Sequence, residues 1–182
     1  MKFTEQDIKG VWIIEPKVFN DERGYFMESY KKEVFDKHIG KVDFIQDNES
    51  KSTRGVLRGL HYQSGEFSQA KLVRAIKGRV LDVIVDLRKS SPTFGKSLSV
   101  ELTEDNKKQF FVPRGFAHGF LVLSDEAIFS YKVDNIYSPT HEATLLWNDP
   151  ALKIDWGIDE NELILSAKDK AGKLLSDTVH FE

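Results

Sequence analysis

The middle of the chain concentrates the side chains that could do chemistry. Residues 55–63 read GVLRGLHYQ, which sets Arg58 and His61 in apolar, β-prone sequence, and Lys71 opens the next apolar run. An imidazole titrates near pH ~6.5, so it is a usable base at neutral pH. Lys71 is either a solvated residue at a strand end or a cation that stabilises an enolate. A base, an anion-binding guanidinium and such a cation together predict proton removal beside a carbonyl group.

A catalytic histidine usually has a carboxylate behind it, which fixes the tautomer and stabilises the imidazolium that forms. The candidates for this role are Asp82, Asp86 and Asp169. Asp82 and Asp86 lie in an alternating run over residues 80–87, so they share one face of a predicted strand. That face is either an outward polar surface or the interior of a barrel that needs carboxylates, and the pattern fits both.

Regular strand geometry separates Arg58 from His61. Side chains alternate along a strand, so residues three positions apart point to opposite faces. Gly55 and Gly59 could remove this separation, because a bulge or bend at either glycine would let the side chains of Arg58 and His61 reach one pocket.

Two more positions carry both a chemical and a structural interpretation. Tyr131 shares a strand face with apolar residues of the run 127–133, where it is either a core aromatic or a general acid across the substrate from His61. His118 is a potential metal ligand, but residues 61–63 lack the His-x-His pattern of a β-barrel metal site. Metal dependence is therefore not expected.

Composition narrows the class of protein. A chain of 182 residues with 40% apolar residues suits one domain with a real core, and the absence of cysteine excludes disulfides and thiolate sites. The net charge of −3 argues against nucleic-acid binding. No stretch is apolar enough for a membrane span or a signal peptide, so we expect a cytoplasmic protein without a membrane partner.

Short apolar runs separated by turn residues predict a β-sandwich or barrel. Helical signal is thin: residues 31–39 end at Gly40, and a second short helix is expected over 159–165. The strand-like runs cover residues 11–14, 72–76, 80–87, 98–102, 110–112, 120–123 and 128–133.

Taken together, these segments resemble the dTDP-4-dehydrorhamnose 3,5-epimerase family along nearly the whole chain. The segments that carry the resemblance are DERGYF (21–26), QDNES (46–50), residues 55–63, KLVR (71–74), DVIVDLR (82–88), residues 113–120, WNDP (147–150) and SAKD (166–169).

The resemblance implies a mainly β fold, a cupin-type jelly roll with a few short helices. It implies a single domain over residues 1–182, with the jelly roll over about 9–156 and a short helical segment over about 157–182. It also implies a homodimer with exchanged N-terminal strands and neither a metal nor an organic cofactor. The expected substrate is dTDP-4-dehydro-6-deoxy-D-glucose, inverted at C3 and C5 on the way to L-rhamnose.

Site residues follow from the same resemblance. His61 is expected to be the base, Tyr131 the acid, Asp169 the carboxylate behind His61, and Lys71 the group beside the 4-keto oxygen. The expected substrate contacts, with the arginines on the diphosphate and Tyr137 on thymine, are Arg23, Glu28, Gln46, Asn48, Arg58, Lys71, His118, Tyr137, Glu142 and Lys168.

Three alternatives remain open. A related epimerase that inverts C3 alone or C5 alone would use the same residues. A cupin that binds a nucleotide sugar without catalysis needs no matched acid and base. The joint presence of His61, Lys71, Tyr131 and Asp169 therefore argues against it. A metal-dependent cupin isomerase or dioxygenase would contain iron or zinc on elemental analysis.

Overall fold

The computed structural model describes residues 1–182, and antiparallel strands dominate it. The strands are β1 (Lys2–Glu5), β2 (Trp12–Glu15), β3 (Val18–Asp21), β4 (Gly24–Met27), β5 (Gln46–Thr53), β6 (Leu57–Gln63), β7 (Lys71–Lys77), β8 (Arg79–Asp86), β9 (Ser97–Thr103), β10 (Gln109–Val112), β11 (Phe116–Val122), β12 (Glu126–Val133) and β13 (Glu142–Thr144).

Two sheets form the body of the molecule. One has six strands in the order β1-β2-β10-β7-β12-β5, and the other has five in the order β13-β6-β11-β8-β9. Neighbours in a sheet are mostly distant in sequence, as in a jelly roll. The predicted mainly β jelly roll is therefore confirmed. A separate hairpin of β3 and β4 stands apart from both sheets.

The main core lies between the two sheets. It joins Val73, Phe110 and Phe129 of the six-stranded sheet to Ile84 and Phe120 of the five-stranded sheet. The rings of Phe120 and Phe129 stack with centroids 4.1 Å apart, which ties the sheets together next to the site described below. Inward-facing apolar side chains on alternate positions explain why these runs form strands.

The burial of Asp82 and Asp86 shows whether their face of β8 points to solvent or to the interior. Both side chains are fully buried, and they share a face with Val80 and Ile84, which belong to the core between the sheets. The barrel-interior interpretation is thus correct for this strand. The opposite face, which includes Val83, packs in a second core beneath the C-terminal segment.

The helices agree with the prediction only in part. Helix α1 spans Lys32–His38, and Gly40 follows it with a φ of +102°, as a helix-ending glycine requires. The helix expected over 159–165 is wrong: the chain forms only a 3₁₀ turn at Glu160–Glu162. Ile164 instead bridges Val56 in an extended conformation, so tertiary pairing overrides local helical preference.

The C-terminal segment covers the outer face of the five-stranded sheet. Trp147, Leu152 and Trp156 are buried there against β6, β8 and β11. A short helix, α2 (Ala167–Lys170), then returns to β6. No helix of the structure has the length and apolarity that crossing a lipid bilayer requires.

Candidate active site

A cavity of about 700 Å³ opens between the two sheets beside their shared core. All four predicted catalytic residues line it: His61, Lys71, Tyr131 and Asp169. The predicted substrate contacts that line it are Asn48, Arg58, Lys71, His118, Tyr137, Glu142 and Lys168. A volume of this size suits a small organic ligand.

A bulge brings Arg58 and His61 to the same cavity. On β11, His118 pairs with His61 and Phe120 pairs with Arg58, so the three residues 118–120 of β11 span the four residues 58–61 of β6. The extra residue lies at Gly59, whose φ is +141° and where an added Cβ would lie 2.5 Å from the Cα of Gly119. The sequence-based idea of a glycine bulge is confirmed at Gly59.

His61 and Asp169 form a close pair on one wall. The Nε2 atom of His61 is itself buried and lies 2.8 Å from Oδ1 of Asp169, whose side chain is almost fully buried, but the ring is not aligned for a hydrogen bond to that oxygen. The ring nitrogen Nδ1 is therefore the one left for a ligand. Of the three carboxylates considered from the sequence, Asp169 is the one behind His61.

The N-terminus of α2 holds Asp169 in place. Ser166 is the N-cap: its backbone N–H and its hydroxyl donate to Oδ2 of Asp169 at 3.1 and 2.6 Å, while the backbone N–H of Gly59 donates to Oδ1 at 3.2 Å. Burial opposes ionisation of Asp169, but His61, Ser166 and Gly59 outweigh it and hold its pKa well below the ordinary value. Asp169 is therefore a fixed anion.

Tyr131 occupies the opposite wall. It lies on β12 of the six-stranded sheet, in register with Asn48 of β5, whereas His61 lies on the five-stranded sheet. Burial raises the pKa of the Tyr131 phenol, with Arg58 opposing and Glu142 adding to the rise. The phenol is therefore protonated at neutral pH and able to donate a proton.

Lys71 and His118 line the interior of the cavity. Burial lowers the pKa of Lys71 from 10.5 to about 8. His118 points its Nε2 atom at both carboxylate oxygens of the fully buried Asp82, each at 2.9 Å. Both histidines of the cavity thus have a carboxylate behind them.

Charged and polar side chains surround the cavity mouth. Glu142 forms an ion pair with Lys168 and accepts a hydrogen bond from the Tyr137 hydroxyl at 3.0 Å. Arg58 donates from Nε to the Ser52 hydroxyl at 3.1 Å and is otherwise exposed. The guanidinium of Arg58 therefore has donors available for an anionic ligand.

Three predicted contacts lie outside the cavity walls of this single chain. Arg23 sits at the tip of the β3–β4 hairpin and pairs with Asp21. Glu28 follows the hairpin and is exposed. Gln46 begins β5, where its side-chain amide donates to Asn48 at 2.8 Å.

Sequence reasoning missed the capping role of Ser166 and the true partner of Asp82. Ser166 and Asp169 form a reciprocal capping box, and the Ser-x-x-Asp spacing was the signal that could have revealed it. Asp82 was considered only as a partner of His61, whereas it binds His118. No local pattern links Asp82 to His118, because the pairing of β8 with β11 brings them together.

A jelly roll that faces a His–carboxylate pair toward a protonated phenol has the base and the acid that an isomerase working by proton transfer requires. The model of the dTDP-4-dehydrorhamnose 3,5-epimerase family matches residues 5–177. The chain belongs to this family.

Known members of the family are similar to this chain over nearly its full length. A dTDP-4-dehydrorhamnose 3,5-epimerase of Shigella flexneri is 54% identical over 182 residues, which cover 100% of this chain and 99% of the relative. The crystal structure of such an enzyme from Elizabethkingia anophelis is 53% identical, with a TM-score of 0.94 and 97% of each chain covered. A Legionella pneumophila 3,5-epimerase, in complex with dTDP-4-keto-L-rhamnose, is 47% identical with a TM-score of 0.93, covering 97% of this chain and 93% of that one.

Proposed function

We propose that this protein inverts C3 and C5 of dTDP-4-dehydro-6-deoxy-D-glucose to give dTDP-4-dehydro-L-rhamnose. The observation that carries the proposal is the placement of His61 with Asp169 on one wall of the cavity and Tyr131 on the other. Inversion requires removal of a proton from one face of the sugar and delivery from the opposite face. A relative that is 54% identical is named for this reaction. A relative that is 47% identical has a structure in complex with dTDP-4-keto-L-rhamnose.

The 4-keto group makes the hydrogens on both neighbouring carbons acidic, so one base can serve both positions. His61 removes the proton through its free ring nitrogen, and the fixed anion Asp169 stabilises the imidazolium that results. Tyr131 then donates its phenolic proton to the carbanion carbon from the other side. Solvent water then returns a proton to the Tyr131 phenolate and accepts the proton from the His61 imidazolium before the second inversion.

Lys71 stabilises the enolate that forms on the sugar O4. It lines the cavity and is only partly exposed there, and a cation withdrawn from bulk water stabilises a nearby anion more strongly. Loss of one such donor costs about 3–4 kcal/mol of barrier in enzymes with oxyanion sites. Lys71 therefore acts on the transition state, not only on binding.

The nucleotide end of the substrate fits the cavity mouth. Arg58 has free guanidinium donors for the diphosphate, and the exposed ring of Tyr137 offers a stacking surface for thymine. Binding energy at this remote end positions the sugar ring between His61 and Tyr131.

We further propose that the protein is a homodimer in which the β3–β4 hairpin completes the partner's cavity. The hairpin joins neither sheet of its own chain, and its Phe19, Tyr25 and Phe26 are 52%, 54% and 66% exposed. An apolar hairpin of this kind is typical of an interface. The exchange would bring Arg23 and Glu28 to the diphosphate end of a cavity that they do not reach in one chain.

The test is proton NMR of dTDP-4-dehydro-6-deoxy-D-glucose with the protein in D2O. Deuterium at both C3 and C5, with an inverted ring, is the expected result. Deuterium at one carbon would instead identify an epimerase of that carbon alone, and its absence from both carbons would identify a binding protein. The variant His61→Asn is the control, since it should bind dTDP yet incorporate no deuterium.

A further inference from the structure

Gln63 is a buried amide at the end of β6 that the proposed mechanism leaves unused. It is only 5% exposed, yet it lies among the residues that line the cavity. It follows His61 by two positions on the same strand, so both side chains are on the cavity face of β6. Buried amides normally have hydrogen-bond partners, and the partners of Gln63 show what it holds in place.

The side chain of Gln63 binds only backbone groups, and these belong to two loops. Its Nε2 atom donates to the carbonyl of Phe67 at 3.2 Å and to the carbonyl of Ile136 at 3.0 Å. Its Oε1 atom accepts the backbone N–H of Ser138 at 2.6 Å. Ile136 and Ser138 are the residues immediately before and after Tyr137. Gln63 therefore binds both peptide groups that flank Tyr137.

The backbone around Tyr137 has little other support. Residues 136–138 belong to no helix or strand, and no backbone–backbone hydrogen bond reaches Ile136 or Tyr137. The side chain of Asn135 ties the loop to residues 66 and 68, but two positions before Tyr137. The amide of Gln63 thus supplies to these peptide groups the hydrogen bonds that a neighbouring strand would otherwise supply.

The ring of Tyr137 is held at its far end by a second residue of the same sheet. The ring is 53% exposed, and its hydroxyl donates to Glu142 at 3.0 Å. Glu142 of β13 lies directly opposite Gln63 of β6 in the strand pairing, so the two side chains are neighbours. Gln63 fixes the backbone of Tyr137 and Glu142 fixes its hydroxyl. The position of the exposed ring is therefore set before a ligand binds.

We propose that Gln63 is a positioning residue for the nucleobase, because it fixes the backbone on both sides of Tyr137 and so presents the ring as a rigid stacking surface. The inference rests on the proposed function, in which thymine stacks on Tyr137. A ring that is already in place loses little conformational freedom when a base stacks on it, which strengthens binding. Gln63 thereby raises the affinity for the nucleotide by acting through Tyr137.

The test is a double-mutant cycle on the affinity for dTDP, measured by calorimetric titration of the full-length protein. The four proteins are the wild type, Gln63→Met, Tyr137→Ala and the double variant. Methionine has nearly the length of glutamine, carries no charge and removes all three hydrogen bonds. Q63M should bind dTDP about tenfold more weakly, within the range that one base–aromatic stack contributes. In the Y137A background the same substitution should cause little further loss.

Steady-state kinetics give a second readout. The KM of Q63M for dTDP-4-dehydro-6-deoxy-D-glucose should rise about as much as the dissociation constant of dTDP, with a much smaller change in kcat. The reason is that His61 and Tyr131, which carry the proton transfer, keep their places. A general loss of structure would instead lower kcat as well.

Asn106→Leu is the matched control. The amide of Asn106 likewise accepts backbone N–H groups and donates to a backbone carbonyl, but it lies in the turn after β9 and does not line the cavity. N106L should keep the affinity of the wild type for dTDP. If Q63M does not fold, Gln63→Glu keeps the length and the acceptor for Ser138. Its added charge acts in both backgrounds of the cycle, so only the loss that passes through Tyr137 should disappear in Y137A.

The outcomes separate this inference from the proposed function. A wild type that incorporates no deuterium into the sugar refutes the proposed function, while the dTDP titrations still test Gln63. A folded Q63M with wild-type affinity for dTDP overturns the role of Gln63 alone. An equal loss with and without the Tyr137 ring also overturns it, because the effect would then not pass through Tyr137. A Y137A variant that binds dTDP as tightly as the wild type does so too, because the ring would then not be the stacking surface.

Discussion

Replacement of Asp169 by asparagine tests the His61–Asp169 pair with the smallest change of shape. Each carboxylate oxygen of Asp169 has two partners: His61 Nε2 and the Gly59 N–H at Oδ1, and the N–H and hydroxyl of Ser166 at Oδ2. An amide has a single oxygen. Whichever way the amide of the variant turns, its NH2 group, which is a donor, faces other hydrogen-bond donors instead of acceptors.

The expected loss follows from this geometry. If the amide NH2 faces His61, the ring loses the carboxylate oxygen that lies 2.8 Å from its Nε2 atom; if it faces Ser166, a backbone N–H loses its acceptor. Both orientations remove the negative charge that stabilises the imidazolium. General-base catalysis contributes about 10²–10⁴-fold, or ~3–5 kcal/mol of barrier, so kcat should fall by that factor. The unpaired donor should cost about 1–3 kcal/mol of folding stability.

The assay combines deuterium incorporation by NMR with calorimetric titration of dTDP. The control is Asp149→Asn, since Asp149 is also buried and accepts backbone N–H groups, from Ala151 at 2.8 Å and Leu175 at 2.6 Å, yet lies outside the cavity. D149N should lose stability and keep kcat. A folded D169N whose kcat stays within about tenfold of the wild type would refute the assigned role of Asp169.

Two further predictions concern the assembly and the acid stability. Co-expressed His61→Asn and Arg23→Ala chains should recover activity, because a mixed dimer with exchanged hairpins has one intact site. After random pairing, roughly a quarter of all sites in the sample are then intact. No recovery would show that Arg23 acts within its own chain. Burial of Asp86 opposes its ionisation, but hydrogen bonds from Arg88, Thr93 and Ser91 outweigh it and lower its pKa below 3.8. The resulting stability is present above pH 3.8 and is lost as the pH falls toward the folded-state pKa. The difference in melting temperature between wild type and D86N should therefore be largest at neutral pH and narrow below pH 3.8; a constant difference in thermal melts would contradict this.

The sequence allowed the class of fold and the identity of the central residues to be predicted. Alternating apolar runs with turn residues between them indicated a β-sandwich or barrel, and the two glycines around Arg58 indicated a bulge, which the structure has at Gly59. Residues 55–63 and Lys71 suggested proton removal beside a carbonyl from their chemistry alone. These features depend on residues close together in the chain, so they can be predicted from the amino-acid sequence alone.

The remainder depends on strand pairing over long distances. Gly59 and Asp169 touch although 110 positions separate them, and no local pattern distinguished Asp169 from Asp82 as the partner of His61. The alternation on β8 showed that Asp82 and Asp86 share a face but not which side of the sheet that face lies on. The apolar residues 163–165 suggested a helix, because the extended pairing of Ile164 with Val56 is not readable from either segment.

The variant Tyr131→Phe tests the two-sided proton transfer most directly. Phenylalanine fills the same space in the half-buried wall and removes only the proton donor, while His61 and Asp169 stay in place. In D2O, Y131F should incorporate deuterium at C3 or C5 of dTDP-4-dehydro-6-deoxy-D-glucose without net inversion, because abstraction continues and the proton returns from the original face. Loss of exchange together with turnover, in a folded variant that binds dTDP, would contradict the assignment of His61 and Tyr131 to opposite faces of the sugar.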